Sequence, residues 1–423
     1  MQKPSSDSEK ADSGKVLFLS PEPPFPLNGG GPLRSASILH FLARRFKVHL
    51  VTFQERGSSQ DTTVAGPLPL TLTMIDLPRH ARHLSARIGR NAVRLLRHRL
   101  PLSDRFCGPD SFRQVERALD GERYAVAVIE HFWCAPYLDL LRPRTDMLIL
   151  DLHNVESVLH ARCASSEPWP RSAVHARFAR IAAREERETL AKFDLVLTAS
   201  DSDRRMVLDL CPAARVAVVP NTLPETPEPS EPEEHVIAFS GNLEYHPNMT
   251  AVRHFREQTW PRLRQADPDL RWRLIGRNEH AIHRYVQGDE RIEVTGPVDD
   301  AVRELARAKV VVVPLLSGSG TRIKVLEAWA AARAVVATAL GAEGLPIENG
   351  ADILLVDEPR AMADTILNLL ADEPSRRRLG QAGRSKFEQN GCWPEAWRAL
   401  EQLALAGATG SSTVTASRCD NEI

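Results

Sequence analysis

No apolar run in this 423-residue sequence approaches the roughly 18 residues that a membrane-spanning helix needs, so no such helix is expected. Cysteine is sparse and scattered: six residues, at 107, 134, 163, 211, 392 and 419, with no CxxC pair. That spacing argues against a disulfide scaffold and against a structural zinc site, and predicts free thiols in a reducing cytoplasm. There is no excess charge of either sign. Lys plus Arg totals 54 and Asp plus Glu 55, so nothing in the net charge of −1 draws the chain to nucleic acid. Only eight of the 54 basic residues are Lys, which singles out any Lys in a sensitive position. Residues 1–13 are polar and carry no signal-peptide core; they are expected to be a disordered tail on a cytoplasmic protein. The GxGxxG fingerprint is missing after the first strand, and no acidic residue stands about 20 positions on, so a nicotinamide site is not expected.

What is present is a regular alternation. Hydrophobic residues at 43% and charged residues at 26% are ordinary for a globular chain, and the length predicts two or three domains. Short β-branched runs occur at 15–20, 48–53, 73–77, 125–130, 147–152, 195–199 and 216–219, with amphipathic stretches such as 33–45 and 171–192 between them. Near-continuous apolar strands separated by helices predict a parallel sheet covered on both faces. Residues 222–234, TLPETPEPSEPEE, hold four Pro and five Glu, so they cannot form a core and are predicted to be an extended, semi-rigid linker. The alternation then restarts with strands at 236–240, 271–275, 292–295, 310–315, 334–339 and 353–356, and helices at 247–265, 299–308, 321–332 and 360–371. The expected fold is α/β: two Rossmann-like doubly wound parallel-sheet domains, 14–221 and 235–390, facing across a cleft. A helix at 391–406 returns toward the first domain, and 407–423 form a polar, disordered tail. Ligands of such sheets bind beyond the carboxyl ends of the strands.

The stretch 314–330 carries the most chemistry. A strand ends at Leu315, a loop with Gly318 and Gly320 follows, and a helix is predicted to begin near Thr321. Unpaired N–H groups at a helix start attract anions, yet Arg322 and Lys324 fall in that first turn, where the macrodipole disfavours cations. The conflict disappears if a phosphate sits there. Lys324 and Glu327 share a face, and Glu327 is placed to accept hydrogen bonds from vicinal hydroxyls. On residue chemistry alone, an i,i+3 surface pair beside turn glycines reads equally well.

Three further features stand near the inferred cleft. Gly29, Gly30 and Gly31 precede Pro32 and allow backbone to approach a ligand, or serve only a loop. His131, in AVIEHFW, and His153, in LILDLHNVES, follow strands. Residues 79–105 hold eight Arg, three His and one acid, with Leu84, Ile88, Ala92, Leu96 and Leu100 at helical spacing. They read either as a basic amphipathic helix for an anionic membrane surface or as a solvated helix whose stripe packs on the sheet.

The segment SGSGTRIKVLEAWAAARAVVATALGAEGL (317–345) resembles the signature of retaining glycosyltransferases of the GT-B fold, in the large family 4. Further likenesses are FSGNLEYHPNMTAVRHF, VTGPVDDAVRELARAKVVVVPL, LDLHNVES and VVPNT, running in family order from about 15 to 400. The resemblance implies transfer of a sugar from a nucleotide-diphosphate donor to a glycan or lipid-linked hydroxyl acceptor, in cell-surface polysaccharide synthesis. It places Glu327 on the ribose, Arg322 and Lys324 on the diphosphate, and Ser319, Gly320, Thr321 and Ile323 around them. Val298 falls in the loop that receives the base, while Gly30, Gly31, Gly241 and Asn242 lie beside the donor. His131 matches the donor-sugar contact needed for transfer, and His153 with Asn154 lies on the acceptor side. Two positions depart from the pattern. The family's first glutamate falls on Ser319, and the Arg and Lys expected after the first C-terminal strand are missing from 241–248. More of the phosphate charge then falls to Arg322 and Lys324.

The expected chemistry is a same-face displacement in which the leaving phosphate takes the acceptor's proton, since no acidic pair is placed as a double-displacement nucleophile would require. No metal and no cofactor are expected: Asp201-Ser202-Asp203 fits a DxD pattern but opens a helix and reads as N-capping. Two rivals remain, a catalytically silent GT-B scaffold binding a nucleotide sugar or a protein partner, and a nucleotide-sugar epimerase on the same architecture.

Overall fold

The computed structural model describes residues 14–27, 29–56, 66–79, 84–320 and 322–403. The two expected tails, 1–13 and 407–423, lie outside these residues, as do Thr321 and residues 80–83. The chain forms two lobes, each built on an all-parallel sheet. The first sheet contains β1 (Lys15–Ser20), β2 (Lys47–Glu55), β3 (Thr71–Leu77), β4 (Tyr124–Glu130), β5 (Thr145–Asp151), β6 (Leu195–Thr198) and β7 (Val216–Val218), in the order β3-β2-β1-β4-β5-β6-β7. The second contains β8 (Val236–Ser240), β9 (Arg271–Ile275), β10 (Ile292–Gly296), β11 (Val310–Val313), β12 (Ala334–Ala337) and β13 (Leu354–Leu355), in the order β10-β9-β8-β11-β12-β13. The expected α/β class and two-sheet arrangement are therefore what the chain adopts. The burial of β11 explains why the pattern was readable: all four of its valines are fully buried, as strands covered on both faces must be.

The first lobe's helices are α1 (Gly30–Ala43), α2 (Leu84–Leu96), α3 (Ser103–Phe106), α4 (Pro109–Ala118), α5 (Leu138–Leu141), α6 (Glu156–Ser166), α7 (Arg171–Thr189) and α8 (Asp201–Leu210). The second carries α9 (His246–His254), α10 (Trp260–Ala266), α11 (His283–Val286), α12 (Ala301–Ala306), α13 (Ile323–Ala330), α14 (Pro359–Ala371) and α15 (Glu373–Asn390). Between α9 and α10 the helix widens into a π turn, Phe255–Thr259, just before Pro261, which has no N–H to donate. The basic helix is shorter than expected: α2 stops at Leu96, because His98 takes a left-handed conformation (φ 49°) and Pro101 follows. No helix among the described residues is long and apolar enough to cross a membrane.

The chain crosses between lobes twice, and the crossings touch. Leu223 donates to the Gly391 carbonyl at 2.8 Å, and Trp393 donates back to Leu223 at 2.9 Å. Beyond Leu223 the linker is extended, but it is not free. Glu231 binds Arg303, Glu233 binds Arg376 and Glu234 binds Arg273, so the glutamates tie residues 231–234 to the second lobe. The last helix, α16 (Trp393–Gln402), packs on α1 of the first lobe, with Trp397 Nε1 donating to Ser37 O at 3.0 Å.

Candidate active site

In both sheets the strand order reverses beside the first strand, between β1 and β4 and between β8 and β11. The carboxyl ends of those strands open onto one interlobe cleft of about 320 Å³. Two helix starts meet there. A side chain at Gly30, the first residue of α1, would stand 3.4 Å from Ile323, the first residue of α13; one at Gly31 would stand 3.8 Å from His153 Nδ1. Gly30 therefore sits at ordinary contact distance from the second lobe and Gly31 from His153 of its own lobe, with room for a small side chain at either position.

On the second lobe, Ser240 ends β8 and donates to Glu327 Oε2 at 2.8 Å. Gly241 follows with φ 143°, and a Cβ there would lie 2.8 Å from Lys324 Nζ, so this position must be glycine for the ammonium to lie against the backbone. Lys324 has no hydrogen-bond or ion-pair partner among the described residues; its ammonium lies beside the Gly241 backbone and 5.5 Å from the centre of the Phe239 ring. The alternative reading, a surface ion pair with Glu327, is not what forms. Burial, with help from Arg322, lowers the Lys324 pKa to about 8, and burial raises that of Glu327 against the opposing pull of Ser240 and Lys324. Val298 lies half-buried at the cleft rim beside Pro297 and Asp299. Asn242 borders the cleft, but its Oδ1 is taken by Glu244 N and Asn278 Nδ2.

Arg322 requires a correction. It is the N-cap of α13 and does not lie in the first turn. Its guanidinium is buried and committed to Leu340 O (2.9 Å), Ser319 O (2.9 Å) and Glu343 (3.4 Å). It borders the cleft as part of the wall, whereas Lys324 presents an unengaged charge. Ser319 is also committed: its Oγ accepts from Val155 N at 3.1 Å and bonds Asn154 across the lobes. Gly320 lies so close to the first lobe that a Cβ would fall 2.4 Å from His153 O. The cap of α8 is Ser200, which accepts from Asp203 N, while the Asp203 carboxylate receives the Gly320 N–H. The Asp201-Ser202-Asp203 stretch thus joins the lobes as well as starting a helix.

On the first lobe, Glu130 and Asp151 are register partners at the ends of β4 and β5, both fully buried. Arg34, from α1, donates through Nε to both Asp151 oxygens (3.0 and 2.9 Å) and through Nη1 to Val219 O and Asn221. Ser35 donates to Glu130 at 2.8 Å, and His153 Nε2 lies 3.3 Å from Glu130 and 3.4 Å from Asp151. Burial opposes charge on His153, but the two carboxylates outweigh it and raise its pKa to about 9. Burial alone would raise Asp151; Arg34 and His153 prevail and hold it well below the usual carboxylate range. These three acceptor-rich side chains converge closely enough for a metal. The Arg34 guanidinium already occupies Asp151, however, and its charge would repel a cation.

His131 lies between this cluster and the cleft. Its backbone is strained, with φ 60° and ψ 140° in a region non-glycine residues avoid. Its ring stacks on Trp133 at 4.3 Å, touches the His153 ring at 3.7 Å, and leaves a buried Nδ1 without a partner. Burial and the charge on His153 keep it neutral, well below its ordinary pKa. Sequence reading found His131, His153, Lys324 and Glu327 but missed Arg34, Glu130, Asp151 and Arg277. Arg277 follows β9 and borders the cleft 4.0 Å from Glu22 of the other lobe. It supplies a cation that the 241–248 loop does not. The available signal was an acid closing each apolar strand, at 130 and 151, and an Arg just beyond the LIG of 274–276.

The arrangement is that of a GT-B glycosyltransferase fold, and residues 234–372 match the model of the family described as Glycosyl transferases group 1. Sucrose-phosphate synthase from Thermosynechococcus elongatus has a similar structure, with a TM-score of 0.69 and 15% identity, over 94% of this chain and 100% of that one. HepE of Anabaena in complex with UDP-glucose is similar at a TM-score of 0.64 and 14% identity, over 93% of this chain and 100% of that one. A curated relative, an uncharacterized 44.6 kDa protein in the cps region of Klebsiella pneumoniae, is 22% identical over 140 residues. That match spans 31% of this chain and about a third (36%) of the relative.

Proposed function

We propose that the chain transfers a sugar from a nucleotide-diphosphate donor to a hydroxyl acceptor with retention of configuration. The observation that carries this reading is Lys324: a lone ammonium without a counter-ion, set among half-buried cleft residues at a helix start opposite a second helix start. A diphosphate supplies the missing charge to Lys324, to Arg277 and to the free amides at both starts. Glu327, steadied by Ser240, then takes the ribose hydroxyls, and Val298 borders the base. As the donor bond breaks, charge builds on the diphosphate, where these groups stabilise it.

Retention through a same-face displacement agrees with the state of the buried acids. Glu130 and Asp151 are locked by Ser35, His153 and Arg34, which leaves neither as a covalent nucleophile. The neutral His131, with an unengaged Nδ1, is suited to bind a donor-sugar hydroxyl. His153 and Asn154 shape the acceptor side, and no metal or cofactor takes part. A glycan or lipid-linked acceptor in cell-surface polysaccharide synthesis suits the relative's position in a cps region. The exposed Ile88 (61%) and Leu96 (80%), on an arginine-rich helix, favour peripheral contact with an anionic membrane.

Calorimetric titration with UDP-, GDP- and ADP-sugars, followed by NMR of the product anomer, tests the proposal. Binding of none of them, or an inverted product, refutes it; binding without transfer to any hydroxyl acceptor favours the silent scaffold.

A further inference from the structure

A second cluster of reactive side chains lies to the side of the cleft, where α6 and α7 of the first lobe meet the start of α9 of the second. We propose that Cys163, His175 and His246 form a zinc-type transition-metal site that joins the two lobes. The candidate ligand atoms, one from each side chain, lie within 4.8 Å of one another. The Cys163 Sγ to His246 Nδ1 separation is 3.5 Å. Sulfur at about 2.3 Å and nitrogen at about 2.0–2.1 Å from a tetrahedral zinc stand about 3.5 Å apart, so no rearrangement of this pair is required.

The outer shell matches a metal site as well. The far nitrogen of His246, Nε2, is 3.2 Å from the Glu167 carboxylate, which in turn is held by Thr250 Oγ1 at 3.0 Å. A carboxylate behind a ligating imidazole fixes the ring and raises its basicity. His175 has an imidazole partner instead of a carboxylate, its Nδ1 3.0 Å from His160 Nδ1, and His160 shares a face of α6 with Cys163 three residues on. Two imidazoles and a thiolate select zinc over the hard cations, with water completing four ligands. On binding, the Cys163 thiol proton leaves to solvent as the S–metal bond forms. The linear spacing of 163, 175 and 246 carries no zinc signature because the ligands come from three helices and two lobes. The site stands apart from the transfer chemistry. Its consequence is mechanical: metal would hold α9, and with it the 241–245 loop of the cleft, against the first lobe.

The test uses the full chain, reduced and stripped by chelator, titrated with Co²⁺ as a spectroscopic probe and then with Zn²⁺. The expected result is one Co²⁺ per chain with a thiolate-to-cobalt charge-transfer band and the visible bands of a tetrahedral site, displaced by Zn²⁺. Cys163→Ser should abolish the charge-transfer band. His246→Gln, at a ring that is one-third exposed (32%) and so tolerant of replacement, should weaken binding at least tenfold. Cys392→Ser serves as the thiol control and should change nothing. A wild-type protein without the band, a band that survives Cys163→Ser, or unchanged affinity in His246→Gln overturns the proposal. If Cys163→Ser fails to fold, the wild-type spectrum and the His246→Gln affinity still decide it.

Discussion

Replacing Lys324 by Met removes the charge and keeps most of the volume, and it should move stability and binding in opposite directions. In the free protein the ammonium is poorly solvated and unpaired, which lowers its pKa from 10.5 to about 8. A Lys whose folded pKa lies below its unfolded value takes stability away at pH values beneath the folded pKa. That penalty fades as pH rises from about 8 to 10.5. At pH 7, Met should therefore raise stability by roughly 1–3 kcal/mol. A charge-assisted contact to a diphosphate is worth about 1.5–3 kcal/mol, so the same substitution should weaken nucleoside-diphosphate binding by about 10- to 150-fold. The wild type should also lose affinity as pH climbs above about 8, by about tenfold per unit, because the bound state keeps the proton that the free state releases. Diphosphate ionisation is complete in that range and contributes no slope. Calorimetry at pH 7, 8, 9 and 9.5 on both proteins, with thermal unfolding at each pH, reads all three effects. Parallel pH profiles for wild type and variant, or a variant that binds as tightly as wild type, would refute the assignment of Lys324 to the diphosphate.

Three other expectations concern the first lobe. His131→Ala should keep donor affinity and lose turnover by about 10²–10³-fold, the cost of one preorganised hydrogen-bonding group; full transfer activity in the variant would remove His131 from the reaction. Arg34→Met leaves Asp151 buried beside Glu130 without its main counter-charge, and should destabilise the fold by about 3–5 kcal/mol in urea unfolding. A loss near zero there would mean that the acid cluster is not held by Arg34. On the membrane side, Ile88→Glu with Leu96→Glu should abolish co-sedimentation with anionic vesicles at low salt, while wild type that never sediments ends the idea of peripheral contact.

How much of this was readable from the chain depends on what each feature requires. The two sheets were legible because strands such as Val310–Val313 are buried on both faces and leave an unbroken apolar record. The helix over 79–105 was overextended because arginine spacing continues past His98, where the backbone turns left-handed and the helix ends. Lys324 was found because it opens a helix after a strand and a glycine loop, whereas His131, one of two histidines that follow strands, was singled out by the family resemblance. Arg34, Glu130 and Asp151 were not, since their meaning arises from the register of β4 beside β5 and from a helix more than 90 residues away in the chain. Arg322 misled for a related reason: a cation in the motif looks free until Leu340, Ser319 and Glu343 fold back on it.

Ser319 departs from the family pattern that the sequence resembles, and with its flanking glycines it makes a contact between the lobes. The 318–320 loop is held to the first lobe by Arg162 on Gly318 O (2.8 Å), Val155 N on Ser319 Oγ (3.1 Å) and Asp203 on the Gly320 N–H. At about 0.5–1.5 kcal/mol each, these bonds favour the closed arrangement by roughly 1.5–4.5 kcal/mol. Closure and the α13 start that would receive the donor are thus properties of one loop. Gly320→Ala separates them. Its Cβ would fall 2.4 Å from His153 O at φ 77°, so either the loop or the lobe must move, and the α13 sequence that carries Lys324 is left unchanged. Nucleoside-diphosphate binding, which needs mainly the second lobe, should survive; turnover, which needs His131 brought to the donor, should fall by at least tenfold, and small-angle scattering with donor present should report a more open molecule. A Gly320→Ala protein that closes and turns over as wild type does would show that the first lobe's hold on this loop has no part in catalysis.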